Sequence, residues 1–281
     1  MTSLEWFAVG AWSWFVLLAV AGQFWPQAGR GKPAAQPLAR FGANMLLTAS
    51  DLLLAFLVPV SALLAAGLAG SAELGLLRQV SLPGWVQIAL AFVLSDLLGY
   101  AIHRLAHEWP LFWRLHRVHH TDIELDVLTT YRQHPLASLA AGGLQAAGIL
   151  TLGLDPVGVL IYQLVFALHN PLIHANLAWP VPQRITRFAS WLFITPGQHS
   201  LHHSARRAET DSNFGQLFSV WDRLFGSLRF ENRDHLEKME IGLGERYAAG
   251  ASSIISQLAL PLAPPDGPRE QPQQDRGNEN H

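Results

Sequence analysis

The sequence predicts an all-α integral membrane protein with about three transmembrane helices, a helical hairpin, and a cytoplasmic helical cap carrying a histidine-ligated dinuclear metal site. Three observations carry this expectation. Half of the 281 residues are hydrophobic and only 14% are charged, whereas soluble domains carry about 25% charged residues. Several apolar stretches reach or approach the roughly 20 residues that a helix needs to cross a bilayer. Eleven of the thirteen histidines fall between His103 and His203, a window in which even scatter would place about five.

The first span is expected from about Leu4 to Phe24, with Trp6 and Trp25 near its ends as interfacial anchors. Read instead as a secretory signal peptide, it lacks the basic leading region, because Glu5 stands there. The second is expected from Phe41 to Ala69, with Asp51 inside it and Pro59 as a kink. The third runs from Trp85 to about Ile102. Leu136–Leu154 and Val157–Leu168 follow, split by Asp155-Pro156. The second of these is short for a full span and suggests a hairpin entering from one side.

Arg30, Lys32 and Arg40 lie between the first two spans, whereas the loop from Gly70 to Gly84 carries only Glu73 and Arg78. The positive-inside tendency then puts the first loop, and everything from His103 onward, in the cytoplasm. The membrane would be the cytoplasmic membrane of a bacterium or the endoplasmic reticulum of a eukaryote. Beyond Asn176 the chain is more polar and reads as a layer of shorter helices. From Pro261 it is rich in Pro, Gln, Asn, Glu and Asp, a composition that stays disordered. The expected division is 1–90 as amino-terminal spans, 91–230 as the catalytic domain and 231–281 as a carboxy-terminal segment.

Composition also excludes classes. No cysteine is present, so disulfides, thiolate zinc sites and iron–sulfur clusters held by this chain are ruled out. A net charge of −2 leaves no basic footprint for nucleic acid.

The spacing of the histidines is more informative than their number. His103 and His107 stand four apart in His-Arg-Leu-Ala-His. His116, His119 and His120 form His-Arg-Val-His-His, and His199, His202 and His203 repeat the pattern as His-Ser-Leu-His-His. Spacings of three and four put side chains on one helical face. Crowded imidazoles repel when protonated and each need a partner when buried and neutral. A bound cation removes both difficulties. One tetrahedral ion takes about four ligands, so this many converging histidines suit two. Thr195-Pro196-Gly197-Gln198 reads as a capping box that starts a helix under the second triplet. His103 ends the third span, which places the site at the membrane boundary, within reach of a lipid tail.

Other candidates are more ambiguous. His169 and His174 flank Asn170-Pro171 at a spacing of five, and the proline takes them out of simple helical register. Both are counted as metal ligands. His134, alone before Pro135, is expected beside the ligands or in a structural role. Asp96 lies inside an apolar span and needs a partner there. It is expected to hydrogen-bond a ligand histidine from another helix, the alternative being a structural contact to Tyr100 or the backbone. Arg104, Arg114 and Arg117 interleave with the histidines and read as a solvated face, the alternative being pairing with acidic residues or lipid headgroups; His235 and His281 read as solvated and uninvolved.

Missing motifs narrow the chemistry. His-Arg-Leu-Ala-His has no Glu in second place, so the base of an HExxH metalloprotease is absent. No Glu-x-x-His pair supports a carboxylate-bridged di-iron bundle, and no GxSxG or Walker A loop appears.

The run Ser95-Asp96 through His103-Arg-Leu-Ala-His107, then Phe112-Trp-Arg-Leu-His116-Arg-Val-His119-His120, resembles the fatty acid hydroxylase/sterol desaturase superfamily. So do Arg132-Gln-His-Pro135, His174-Ala-Asn176, Thr195-Pro-Gly-Gln-His199-Ser-Leu-His202-His203, Asn213-Phe-Gly215 and Trp221-Asp-Arg-Leu-Phe-Gly226. The resemblance implies a membrane-embedded oxygenase with two iron ions, replaceable by zinc in purified protein, and molecular oxygen as cosubstrate. It implies a lipid substrate, sterol or acyl chain among the candidates, that is hydroxylated or desaturated. A separate electron donor is implied, of ferredoxin type or cytochrome b5 type with a reductase, because no fused cytochrome b5 domain is recognisable. His169 departs from the family's usual spacing. Two rival classes remain on the sequence alone, a membrane metal-binding or transport protein and a zinc-dependent lipid hydrolase on the same scaffold.

Overall fold

The computed structural model describes residues 3–24, 36–57, 61–175, 177, 183–230, 232–244, 247 and 250–264. Trp25, Arg30, Lys32, Pro59, Asn176, His281 and the tail from 265 onward lie outside the described residues. Among the described residues every regular element is a helix, joined by two isolated β-bridges, Phe193 with Phe218 and Ser204 with Ile241.

Helix α1 covers Ser3–Phe24 and α2 covers Pro37–Leu57. Trp6, Trp12, Val16, Leu17, Val20 and Phe24 of α1 are exposed, as the lipid-facing side of a spanning helix would be. The second expected span is not one helix. After α2 the chain restarts as α3, Ala62–Ser71, where Ser61 caps the new helix by accepting the amide of Leu64 at 2.9 Å. Ten residues reach only about 15 Å, too short to cross a bilayer. Ala65, Ala66 and Ala69 of α3 are instead buried, the first two packing with Ile149, Leu154 and Val159.

Among the described residues three helices are long and apolar enough to cross a membrane: α4, Gly84–Glu108; α6, Pro135–Leu152; and α7, Pro156–His174. Helix α4 extends six residues past the expected Ile102, so His103 and His107 occupy its last two turns. The turn between α6 and α7 is as its residues dictate. Gly153 takes φ 72° to end α6, and Asp155 accepts the amides of Val157 and Gly158 to start α7 at Pro156. The second arm of the hairpin is longer than expected. It continues through Pro171 to His174, because a proline one turn from a helix end removes a single interior hydrogen bond. At Gly158 a Cβ would lie 2.3 Å from the carbonyl oxygen of Ile88, so α4 and α7 cross backbone to backbone there.

Helix α5, Pro110–His120, follows α4 after one linking residue, Trp109. The remaining helices are short: α8 (Gln183–Ala189), α9 (Pro196–His202), α10 (Arg207–Thr210), α11 (Val220–Leu224), α12 (Arg233–Lys238) and α13 (Ile254–Ala259). Part of the segment expected to be disordered is ordered. A 3₁₀ turn at Leu260–Leu262 follows α13, and the Arg117 guanidinium donates to the carbonyls of Leu260 at 2.6 Å, Ala263 at 3.1 Å and Pro264 at 3.2 Å. Arg117 is therefore fully buried rather than solvated.

Arg40 is likewise no free loop charge. On the first turn of α2 it donates to both oxygens of Asp122, at 2.6 and 2.8 Å, and to Asp126 at 2.7 Å. Arg132 joins the same network through Asn44 at 2.5 Å and Thr121 at 2.9 Å. Buried charges persist only when paired and hydrogen-bonded, and this network fastens α2 to the end of α5. It leaves the orientation argument resting on Arg30 and Lys32, outside the described residues.

Candidate metal centre

Four helices bring the histidines together. The last two turns of α4 supply His103 and His107, and α5 supplies His116, His119 and His120. His174 is the final residue of α7, and α9 carries His199 and His202 with His203 as its C-cap. Helix α9 starts as its sequence predicts. The Gln198 amide donates to Thr195 Oγ1, and Gln198 Oε1 accepts the Thr195 amide at 2.9 Å.

The imidazoles form two groups. His103, His107, His116, His120 and His202 make one, and His119, His174, His199 and His203 the other, with the nitrogen atoms of each group all within 4.8 Å of one another. Nine of the ten expected ligand positions thus converge. In the smaller group, Nε2 of His199 lies 2.9 Å from Nε2 of His174 and 3.2 Å from Nε2 of His203, and Nε2 of His174 lies 3.4 Å from Nε2 of His119.

These groups fit metal ions on three counts. A four-coordinate ion with metal–nitrogen distances of about 2.0–2.1 Å holds its ligand atoms about 3.3 Å apart, close to the spacings seen. Nε2 of His107, His116, His120 and His202 is buried with no hydrogen-bond partner among the described residues, an unusual loss unless a cation takes the lone pair. The opposite edge of several rings is fixed. Nδ1 meets the carbonyl oxygen of Phe214 at 2.9 Å for His103, of Asn170 at 2.8 Å for His174 and of Ser212 at 2.7 Å for His202. His107 Nδ1 faces the Asp211 carboxylate at 3.3 Å, which Arg207 in turn holds at 2.8 Å. Such partners on the outer nitrogen are how proteins orient metal-binding imidazoles.

Burial, reinforced by neighbouring imidazoles, pushes the protonation of His116, His120, His199 and His203 well below the usual histidine value. The rings are neutral at physiological pH, the form that binds metals.

Three expected residues are placed elsewhere. His169 joins neither group; it hydrogen-bonds the Ile194 backbone instead. It sits five residues before His174, so it points to another side of α7. His134 is the N-cap of α6, where Nδ1 accepts the Leu136 amide at 3.1 Å and Nε2 faces the Leu258 carbonyl oxygen at 3.3 Å. Both nitrogens are taken by backbone groups rather than by a ligand histidine. Asp96 accepts the amides of Leu217 at 3.0 Å and Phe218 at 3.1 Å and the indole N–H of Trp221 at 2.8 Å. The Tyr162 hydroxyl is a fourth partner, and with these donors the carboxylate clamps the segment around Phe214 onto α4 rather than an imidazole. His235 lies 3.1 Å from Glu209, outside both groups.

Sequence reading missed the residues that work through the backbone. Phe214 and Ser212 contribute carbonyl oxygens, which carry no side-chain signal. Asp222 sets them in place by accepting the amides of Phe214 at 2.7 Å and Gly215 at 2.8 Å. Gln216, two residues past Phe214, lies 2.9 Å from His103 Nδ1.

A cavity of about 330 Å³ opens beside both groups, between α4, α5, α6 and α7. His103, His116, His119, His174 and His199 form one end, and the walls include Ile102, Ala141, Leu144 and Phe166. From Ala137 to Gln145 it follows α6 for eight residues, about 12 Å along the axis.

Residues 88–227 match the fatty acid hydroxylase family, which takes in α4, both His-x-x-His-His motifs and the Asp96 clamp. This chain belongs to the fatty acid hydroxylase family. It is 33% identical over 178 residues to the ornithine lipid hydroxylase of Rhizobium tropici, covering 63% of this chain and 50% of that protein. It is 28% identical over 155 residues to the alkylglycerol monooxygenase of Homo sapiens, covering 54% of this chain and 32% of that enzyme. A cholesterol 25-hydroxylase-like protein of Danio rerio is 28% identical over 160 residues, covering 56% of this chain and 59% of that protein. The chain therefore spans half or less of the first two relatives. No solved structure matches it.

Proposed function

We propose that this fatty acid hydroxylase family chain is an oxygen-dependent membrane enzyme that hydroxylates or desaturates an unactivated C–H of a lipid. The observation that carries the reading is the position of two histidine groups at one end of a mainly apolar cavity, between helices long enough to cross a bilayer. A transport path would spread its ligands along those helices, and here they gather at one end. His103, His107, His116, His120 and His202 would hold one ion, and His119, His174, His199 and His203 the other. An all-imidazole set suits iron without demanding it.

The bound metals would supply activation of molecular oxygen, with electrons from a separate ferredoxin-type or cytochrome b5-type donor. The chain's own contribution is placement and exclusion. Ile102, Leu144 and Phe166 give the lipid an apolar slot and keep bulk water out. His103, His116 and His199 stand at one end of the slot, so the carbon held beside the histidines is chosen by how much of the lipid lies along α6 beyond them. Phe214, Ser212 and Asp211 hold the rings so that their inner nitrogens stay aimed inward. The metal-bearing end is proposed to face the cytoplasm.

Metal analysis of the purified protein, paired with product screens on ornithine lipids, alkylglycerols and sterols with and without oxygen, tests this reading. About two metals per chain and a product that requires oxygen support it. A lipid ester cleaved under strict anaerobiosis would point to hydrolysis instead, and zinc transport in liposomes without oxidation would point to a carrier.

A further inference from the structure

Two glutamines connect the histidine groups to the cavity. Nε2 of the Gln216 carboxamide lies 2.9 Å from Nδ1 of His103 in the larger group. Nε2 of the Gln133 carboxamide lies 3.2 Å from Nδ1 of His119 in the smaller group. The two arrangements are built alike. In each, the same Nδ1 also meets a backbone carbonyl oxygen just upstream of the glutamine, that of Phe214 at 2.9 Å or of Arg132 at 3.3 Å. Both glutamines are half-buried and both line the cavity. Room for Gln216 is built into α4, because a Cβ at Gly99 would lie 2.9 Å from its Cγ. A carboxamide has one acceptor and two donor positions, and one edge on a histidine leaves the other toward the cavity.

We propose that Gln133 and Gln216 are positioning residues that couple occupancy of the cavity to the two histidine groups. They select a lipid with a hydrogen-bond acceptor, an ether, hydroxyl or ester oxygen, at the end that meets the histidines. The selecting role rests on the lipid-oxidising reading above; the positioning role does not. A histidine bound through Nε2 carries its proton on Nδ1. That proton is donated to the backbone carbonyl and draws the carboxamide through a half-turn about its last bond, so that Oε1 replaces Nε2 against the ring and the NH2 faces the lipid. A lipid oxygen that accepts from the NH2 polarises the amide and strengthens its bond to the imidazole. An alkane offers no such acceptor.

The test uses the whole chain in detergent with cobalt(II) as the metal, because its visible bands report the ligand set. The probes are hexadecyl glycerol ether, which has acceptor oxygens, and hexadecane, which has none. In the unsubstituted protein the ether lipid shifts the cobalt bands and hexadecane does not. Gln216→Met and Gln133→Met keep the bulk but not the hydrogen bond, and each weakens cobalt binding by about 10–100-fold, the usual effect of removing a ligand's outer partner. Gln216→Glu and Gln133→Glu keep an oxygen for Nδ1–H, so cobalt affinity stays within about threefold while the response to the ether lipid is lost. Unchanged cobalt affinity and bands in both Met variants would overturn the positioning role. A full ether-lipid response in both Glu variants, or none in the unsubstituted protein, would overturn the selecting role. Failure of the oxidation reading shows separately, as a normal cobalt response with no oxygen-dependent product.

Discussion

The rings of His120 and His203 lie stacked, with centroids 4.5 Å apart and planes 26° from parallel. Each closes one of the two His-x-x-His-His motifs, yet they fall in different groups. The seam between the candidate ion positions is therefore a pair of imidazoles, and among the described residues neither group contains a carboxylate. Without a bridging side chain, two ions bound here would depend on separate ligand sets.

Those sets differ in redundancy, and this predicts unequal mutants. His199→Ala leaves three histidines in the group of four, whereas His116→Ala leaves four in the group of five. Four nitrogens still satisfy a tetrahedral ion, and three need outside help. His199→Ala is expected to purify with about one metal per chain and His116→Ala with close to two, by elemental analysis of folded protein. Loss of both ions from both variants would show that the groups fill together.

Much of this centre was legible because helical spacing is a strong signal. Two His-x-x-His-His triplets and a four-residue pair can only present their rings on one face, and the Thr195 capping box fixed where α9 starts. The residues that were misread share a cause. Asp96 and Arg117 were judged by the polarity of their neighbours in sequence, but their partners, at Leu217–Trp221 and Leu260–Pro264, come from more than a hundred residues away. His134 has the same problem on one side, with Leu258 far off, and on the other it obeys a local rule, capping the helix that Pro135 begins. His169 shows the limit of counting histidines, since proximity in sequence put it on the wrong side of α7.

Asp96→Asn separates clamp from metal. Asp96 accepts four donors with two oxygens, two amides, the Trp221 indole and the Tyr162 hydroxyl, and an asparagine turns an NH2 toward at least one of them. A buried donor left without an acceptor costs about 1–3 kcal/mol. The expected result is a lower thermal midpoint with unchanged metal content per folded chain. A changed metal content at an unchanged midpoint would show that Asp96 acts on a ligand histidine after all.

Asp122 holds a buried guanidinium from a distant helix, and its ionisation state follows from competing effects. Burial pushes its carboxyl up, but Arg40 and Arg132 outweigh burial and hold it below the ordinary carboxylate value. It therefore stays ionised at neutral pH. A depressed carboxyl contributes stability above its unfolded value of about 3.9 and loses it only as pH falls further. Asp122→Asn is expected to cost about 1–3 kcal/mol, because Arg40 loses a two-oxygen partner but keeps Asp126 as a counter-charge. Denaturant unfolding should give the same difference at about pH 6 and pH 8; a difference that shrinks between them would mean that another group titrates in the network.

The cavity wall offers the most direct test of where the lipid lies. Ala141 is half-buried on α6 and faces the cavity between its histidine end and Gln145. Ala141→Phe places a ring in a space of about 330 Å³ without touching a histidine. Metal content should not change, because every expected ligand comes from α4, α5, α7 or α9. For a long-chain substrate kcat/KM should fall about tenfold or more, equivalent to about 1.4 kcal/mol or more of lost transition-state stabilisation. Lipids cut short on the side that enters the bundle should suffer less, since the ring blocks only the deeper part of the slot. Equal losses for short and long chains would mean that the ring distorts the fold, and a long-chain lipid turned over at the unsubstituted rate would place the substrate outside this cavity.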